Sequence, residues 1–357
     1  MAGGGTGGHL FPALAIAEEL KKQKPEAEFV FVGTKGRIEM RVVPERGYPI
    51  RTLWLSGLRR SFSPGNILVP FKIAVSLMQS FALLREVKPA AVIGTGGYVC
   101  GPILYAASLL GIPTVIHESN SYPGITTRLL ARRVSLLLAA FEDIRGWIPS
   151  GRNIEVVGTP TLGSLEHASR EEGLSFFGLD PGRKTVLVIG GSQGAASINA
   201  AVLRMVIRLQ ESGIQYIWQT GPREVDALKA QAGSPRQGWI GAFINRMDLA
   251  YAAADVVVCR AGATTIAELT RIGKPAILVP YPHAAEDHQT RNARTLVDAG
   301  AARMIPDTDV GTKLERELTE LLENSAVQNA MIAAARRLGN PNAARQVAER
   351  VLQLIGH

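Results

Sequence analysis

The sequence predicts an α/β protein of two doubly wound parallel-sheet domains with a cleft between them. Three observations lead there. Short β-rich runs alternate with helix-like stretches, the signature of parallel strands joined by helical crossovers. The plan is laid out twice along 357 residues, a length suited to two domains. Nearly every chemically unusual residue follows a strand-like run, at the strand end where open α/β sheets bind ligands.

In the first half, "EFVFVG" (28–33), "AAVIGTGG" (90–97) and "PTVIHES" (113–119) read as strands, with helices over 12–22, 68–87 and 101–110. In the second half, "KTVLVIGG" (184–191), "IQYIWQTG" (214–221), "DVVVCRAG" (255–262) and "PAILVPYP" (275–282) read as strands. The stretch 160–182 has no strand pattern and ends in turn residues, which places the domain junction there. The expected organisation is 1–160, 161–340, and a C-terminal amphipathic helix within 341–357 that crosses back to the first domain.

Apolar residues make up 46% of the chain and charged residues 20%, so sizeable cores are expected. Cys100 and Cys259 show neither metal spacing nor a disulfide framework, and the chain opens without a basic-then-apolar leader. Both features point to a reducing cytoplasm. Residues 1–160 carry 18 basic and 11 acidic side chains, a balance of +7 out of +8 for the whole chain. The first half is therefore expected to meet something anionic. No aromatic-interleaved basic motif supports nucleic acid.

Three glycine-rich turns lead into predicted helices. "GGGTGGHLFP" opens the chain, with Gly3, Gly5 and Gly8 in a formal dinucleotide spacing. The acidic residue that a nicotinamide site wants at the end of the second strand is missing, and no Gly-Lys-Ser/Thr follows. The glycines are expected to leave backbone N–H groups uncovered for an anion. "GGSQGAASIN" (190–199) adds the Ser192 and Gln193 side chains. In "RAGATTIAE" (260–268), Gly262, Ala263 and Thr264 would open a helix, with Thr264 or Thr265 as its cap. Glu268 follows one turn after Thr264, placed to accept two hydrogen bonds from a ribose diol. "HESNSYPG" (117–124) sets His117, Glu118 and Asn120 past an apolar strand. His283, Glu286, Asp287 and His288 form a polar cluster without a metal-binding frame, and no carboxylate triplet ends a strand. No metal or cofactor is expected. A diphosphate would be neutralised by amides, helix dipoles and basic side chains.

Taken together and in order, "GGGTGGHLFPALAIA", "GTGGYVCGP", "HESNSYPG", "GGSQGAASIN", "CRAGATTIAEL" and "EDHQTRNA" resemble the MurG-type N-acetylglucosaminyltransferases of peptidoglycan synthesis over nearly the whole chain. The resemblance implies a GT-B fold of two Rossmann-like domains. It also implies inverting transfer of N-acetylglucosamine (GlcNAc) from UDP-GlcNAc to the muramic acid 4-hydroxyl of lipid I, giving lipid II. It implies donor contacts at Thr6, Gly7, Gly8, Asn120, Ser192, Ile244 and Gln289, with Glu268 on the ribose and Ile244 meeting uracil through its backbone. Leu162 stands where the family carries an arginine that contacts the donor. Relatives also have several apolar residues before the first glycine turn, so most of the first strand is expected to be missing.

An inverting transfer needs a base for the acceptor hydroxyl. His9 is the first candidate, with Glu118 as alternative base or as the group that orients His9. Gly96, Gly97 and Tyr98 are expected at the acceptor diphosphate. The apolar stretch 67–85 is a poor membrane span. Its helix is expected to keep Lys72, Ser76, Gln79 and Ser80 on one side, with Phe71 and Phe81 on a broad apolar face. With Arg59, Arg60, Arg85 and Lys88 beside it, it would dock peripherally on the anionic inner face of the cytoplasmic membrane. Another GT-B transferase or a UDP-sugar epimerase, and a nucleotide-sugar-binding or nucleic-acid-binding module without catalysis, are the alternatives.

Overall fold

The computed structural model describes residues 1–55, 69–149, 154–233, 238–284 and 287–356. The chain divides into two compact units: Met1–Leu162 with Pro341–His357, and Gly163–Asn340. Elements are numbered in chain order.

The first unit contains β1 (Ala2–Gly3), α1 (Gly7–Gln23), β2 (Phe31–Gly33), α2 (Glu39–Glu45), β3 (Ile50–Thr52), α3 (Val69–Val87) and β4 (Val92–Gly96). It continues with α4 (Cys100–Leu109), β5 (Thr114–Glu118), α5 (Ile125–Leu130), β6 (Leu136–Ala139) and β7 (Ile154–Val156). The sheet order is β3-β2-β1-β4-β5-β6-β7, and the pairings are parallel. The chain order therefore reverses between β1 and β4, the position at which doubly wound sheets open a ligand crevice. The short first strand expected from the sequence holds that central place with two residues. Ala2 is fully buried and pairs with Val32 and Gly94. The Met1 ammonium donates to the Val30 carbonyl at 2.8 Å.

The last helix, α14 (Ala343–Ile355), belongs to this unit. Its Val347, Ala348 and Val351 are buried with Ile16 and Leu20 of α1. Arg350 pairs with Glu155 of β7 through two guanidinium nitrogens. An apolar stripe at helical spacing and a forked ion pair thus dock the C-terminus on the first sheet.

The second unit contains α6 (Arg170–Phe177), β8 (Thr185–Ile189), α7 (Ala196–Glu211), β9 (Gln215–Gln219), α8 (Val225–Ala232), β10 (Gly238–Gly241) and α9 (Met247–Ala253). There follow β11 (Val256–Cys259), α10 (Ala263–Ile272), β12 (Ala276–Leu278), α11 (His288–Asp298), β13 (Arg303–Met304), α12 (Val310–Glu323) and α13 (Ser325–Leu338). The parallel sheet runs β10-β9-β8-β11-β12-β13, with its reversal between β8 and β11. Helix α6 starts at a reciprocal capping box of Ser169 and Glu172, and it stops at Gly178 in the left-handed region. Such a box satisfies two donors at the helix start, where a cap contributes about 1 kcal/mol. Val186, Val188, Val256 and Val258 of the central strands form the core with Trp218 and Tyr216.

Helix α3 departs from its expected face. Ser76 and Ser80 are buried and donate back to the Ile73 and Ser76 carbonyls, whereas Phe71, Ile73 and Met78 are exposed. A serine that bonds its own helix carbonyl packs inward at little cost, so the helix turns its serines to the core and not to solvent. Phe81 packs against the core rather than beside Phe71. Leu68, Arg59 and Arg60 lie outside the described residues. No helix among the described residues is long and apolar enough to cross a membrane.

Candidate active site

Strands β1 and β4 are neighbours, so the turns that follow them lie side by side. Gly96 and Gly97 adopt φ of 113° and 84°, a region that favours glycine. A Cβ on Gly96 would stand 2.5 Å from the His9 ring, and one on Gly97 would strike the Gly4 carbonyl. Only glycines let the second turn close on the first. His9, in the first turn of α1, is half-buried against this seam. Its backbone carbonyl accepts a 2.7 Å hydrogen bond from the Thr95 hydroxyl.

His9 Nδ1 lies 3.3 Å from the Gly4 carbonyl and 3.3 Å from the Thr6 hydroxyl. A carbonyl only accepts, so this contact assigns the proton to Nδ1 and the lone pair to Nε2. Burial holds the His9 pKa below its usual value, against the opposing pull of Glu118, the Gly4 carbonyl and Glu39. The imidazole is therefore neutral at pH 7 with Nε2 as its basic atom. Thr6, Gly8 and Tyr98 are exposed and Gly7 is half-buried.

The first glycine turn is not the bare amide cradle that the sequence suggested. The Gly5 N–H donates to Glu39 Oε2 at 3.0 Å. Glu39 is 1% exposed, and its other oxygen accepts from the Thr34 N–H and hydroxyl at 3.0 and 3.1 Å.

At the end of β5 the polar cluster separates into two roles. His117 is fully buried, with Nε2 2.8 Å from the Gly158 carbonyl and Nδ1 3.3 Å from the Ser119 hydroxyl. It ties β5 to the segment after β7, and burial lowers its pKa. Glu118 accepts four hydrogen bonds. Asn120 gives its N–H and its side-chain amide to Oε1, each at 3.1 Å. The Gly124 N–H and the Thr127 hydroxyl reach Oε2 at 3.0 and 2.7 Å. A carboxylate so occupied holds the loop 119–127 and the start of α5, and it acts on the His9 ring through its charge.

In the second unit, the turn after β8 includes Gly191 and Gly194 at positive φ, with Ser192 half-buried. A Cβ on Gly194 would strike the Thr220 carbonyl. Gln219, 2% exposed at the end of β9, donates to the Gly191 carbonyl and accepts the Ile244 N–H, both at 2.9 Å. Any backbone contact of Ile244 with a base would therefore run through its carbonyl. Helix α10 is capped by Gly262, not by Thr264 or Thr265, because it begins at Ala263 and puts both threonines inside its first turn. Ala263 and Thr264 are buried there. Glu268 accepts a 2.8 Å hydrogen bond from the Tyr251 hydroxyl of α9. Burial pushes its pKa up to about 7, against the lowering effect of that hydroxyl. Gln289 of α11 accepts the Tyr281 N–H at 2.9 Å.

Leu162 is buried and apolar. Arg260, at the end of β11, is paired with Asp307 at 2.5 Å and bonded to Ser197 and the Val279 and Pro280 carbonyls. The polar cluster at 283–288 pairs the His283 ring edge-on with Tyr281, and Glu286 lies outside the described residues.

Residues 1–137 match the glycosyltransferase family 28 N-terminal domain, and residues 185–351 match its C-terminal domain. The chain belongs to glycosyltransferase family 28. Within the family, it is 46% identical to a Chlorobaculum parvum protein named UDP-N-acetylglucosamine–N-acetylmuramyl-(pentapeptide) pyrophosphoryl-undecaprenol N-acetylglucosamine transferase. That match covers 99% of this chain and 98% of the relative. A protein of the same name from Christiangramia forsetii is 41% identical over 100% of this chain and 97% of its own. The crystal structure of Acinetobacter baumannii MurG superposes with a TM-score of 0.72 at 32% identity, covering 99% of this chain and 98% of that one. A UDP-N-acetylglucosamine 2-epimerase, at 14% identity and TM-score 0.65, shares the fold alone.

Three residues of this family 28 chain escaped the sequence reading. Glu39 sits six residues after the end of its strand run, and its partners are backbone and Thr34. Gln219 looked like the polar end of a strand. Tyr251 lies 17 positions before Glu268, on another helix. No short motif marks such partners, because the fold alone brings them together.

Proposed function

We propose that this family 28 enzyme transfers GlcNAc from UDP-GlcNAc to the 4-hydroxyl of the muramic acid of lipid I, the undecaprenyl-diphosphate-linked MurNAc-pentapeptide, with inversion. The product is lipid II, a precursor of the cell wall that sets cell shape and permits division. The observation that carries the reading is the neutral His9 imidazole, held with Nε2 basic where two glycine turns meet. Nε2 takes the proton of the 4-hydroxyl as its oxygen attacks C1 of GlcNAc. The C1–O bond to the diphosphate breaks, and UDP leaves with that electron pair. First-turn amides of α10 and the turn after β8 stabilise the charge on the departing diphosphate.

In this reading the donor is held by Thr6, Gly7, Gly8, Asn120, Ser192, Ile244, Gly262, Ala263, Thr264 and Gln289, with Glu268 on the ribose diol. Gly96, Gly97 and Tyr98 meet the acceptor diphosphate. The reaction needs no cofactor, metal or nucleic acid. UDP release that depends on a short-chain lipid I analogue and survives EDTA supports this reading. Release that ignores the acceptor, or that returns only with a divalent ion, contradicts it.

Glu268 must be ionised to accept two ribose hydroxyls. With its pKa raised to about 7, it is partly protonated in the free enzyme at neutral pH. Its ionisation is disfavoured by folding, so its contribution to stability falls as pH rises from the usual carboxylate range through about 7. Donor binding runs the opposite way and strengthens over that rise. UDP-GlcNAc has no phosphate group titrating near neutrality, so binding at pH 7 should release protons from the protein. Calorimetry in two buffers is expected to show this release. Glu268→Gln should abolish it and weaken binding about tenfold, or about 1.4 kcal/mol. Equal release and affinity in the variant would remove Glu268 from the donor site.

The acceptor's lipid implies a peripheral position on the cytoplasmic face of the bacterial membrane. The exposed Phe71, Ile73 and Met78 of α3 and the basic excess of the first half support it. Vesicle flotation should strengthen with anionic lipid and weaken with salt. Lys72→Glu with Arg85→Glu should reduce it without changing UDP affinity. Equal flotation on neutral and anionic vesicles would contradict the electrostatic part of this contact.

A further inference from the structure

We infer that Glu39 is a positioning residue that sets the tautomer and basicity of His9 through the peptide group joining Gly4 and Gly5. The inference rests on the reading of His9 as the base. One planar peptide unit carries both contacts. Its N–H, on Gly5, donates to Glu39 Oε2 at 3.0 Å, and its carbonyl, on Gly4, faces His9 Nδ1 at 3.3 Å. Because the unit is planar, holding the N–H fixes the direction of the carbonyl. A carbonyl aimed at Nδ1 accepts a proton there and leaves the lone pair on Nε2. A hydrogen bond to a carboxylate also polarises the peptide, which makes its carbonyl a stronger acceptor. The effect resembles that of a carboxylate bonded directly to an imidazole, passed through one amide.

The surroundings support this assignment. Glu39 is buried, so its charge carries a desolvation cost that its bonds must offset. Thr34 holds Oε1 from two sides, which leaves Oε2 directed at Gly5. A Cβ on Gly4 or Gly33 would collide with the Glu39 side chain, so the turn is fitted to this carboxylate. A turn meant only to grip a phosphate gains nothing from a carboxylate bonded to one of its amides. Among the described residues, the charged groups that act on His9 are Glu118 from β5 and Glu39 from α2, and both oppose the lowering of its pKa by burial. The Cys100 thiol of α4 is neutral, and its one proton is shared between the Ala2 and Gly96 carbonyls, each 2.9 Å from Sγ.

The test is nitrogen-15 NMR of the histidine ring, which reads tautomer and midpoint without reference to catalysis. In the unchanged chain, His9 is expected to show the Nδ1–H tautomer. Glu39→Gln removes the charge and sets an amide NH2 against either Thr34 or Gly5. His9 should then show mixed tautomers and a midpoint lower by about half a unit or more. The acid limb of the kcat profile should move the same way, with KM for UDP-GlcNAc unchanged. If that variant does not fold, Glu39→Asp keeps the charge but withdraws it by one methylene. It should give the same loss of tautomer with a smaller change of midpoint. An unaltered tautomer and midpoint in either folded variant overturns the inference. If instead the NMR changes occur but the kcat profile of the unchanged chain does not follow the His9 midpoint, the relay stands and the reading of His9 as base falls.

Discussion

His9→Ala is expected to lower turnover about a hundredfold or more, the usual scale of a general acid–base contribution. Affinity for UDP should change little, because the nucleotide is assigned chiefly to the second unit. The loss should appear in kcat and kcat/KM alike, since the proton moves only in the transition state. His9→Asn is the sharper variant. Its amide can still donate to the Gly4 carbonyl, yet it offers no basic nitrogen in place of Nε2. The Gly4 contact is weak at 3.3 Å, so replacing it should cost the fold little. Turnover of either variant within threefold of the unchanged enzyme would remove His9 as the base.

Glu118→Ala should also reduce turnover about a hundredfold, but by a different route, and it should destabilise the fold. Removing the carboxylate leaves the Asn120 and Gly124 amides and the Thr127 hydroxyl without their acceptor. Buried donors stripped of a partner cost about 1–3 kcal/mol each when solvent cannot replace it. Thermal melting should register a loss of about 3 kcal/mol or more. Asn120, freed from Oε1, would no longer be held at the position assigned to the donor. Glu118→Gln keeps the shape and two acceptor lone pairs, so it should fall between the two. A stable Glu118→Ala variant with normal turnover would mean that loop 119–127 is ordered without its carboxylate.

The fold was legible because its signals are local and repeated. Valine- and isoleucine-rich runs such as 184–189 and 255–259 can hardly be anything but buried parallel strands. The glycine turns were legible for a related reason. Gly96 and Gly97 take backbone angles that favour glycine, and their place after a strand announces a site. What the residues on His9 do was not legible. Whether Glu118 is a base or an anchor depends on Gly124 and Thr127, which folding brings to its second oxygen. Glu39 reads as an ordinary helix-start acid until β1 and β2 pair and carry Gly5 to it. The serines of α3 misled for the converse reason: a hydroxyl satisfied by its own helix buries like an apolar group, and sequence polarity does not register that satisfaction.

The transfer proposed for this chain makes one particular glycosidic bond, with inversion. Its most direct test is NMR of the disaccharide released from the product formed with UDP-GlcNAc and a short-chain lipid I analogue. The expected product carries GlcNAc joined to O4 of the muramic acid through a β linkage, with a large anomeric proton coupling. An α linkage, attachment at another hydroxyl, or conversion of the donor to its 2-epimer without transfer would contradict it.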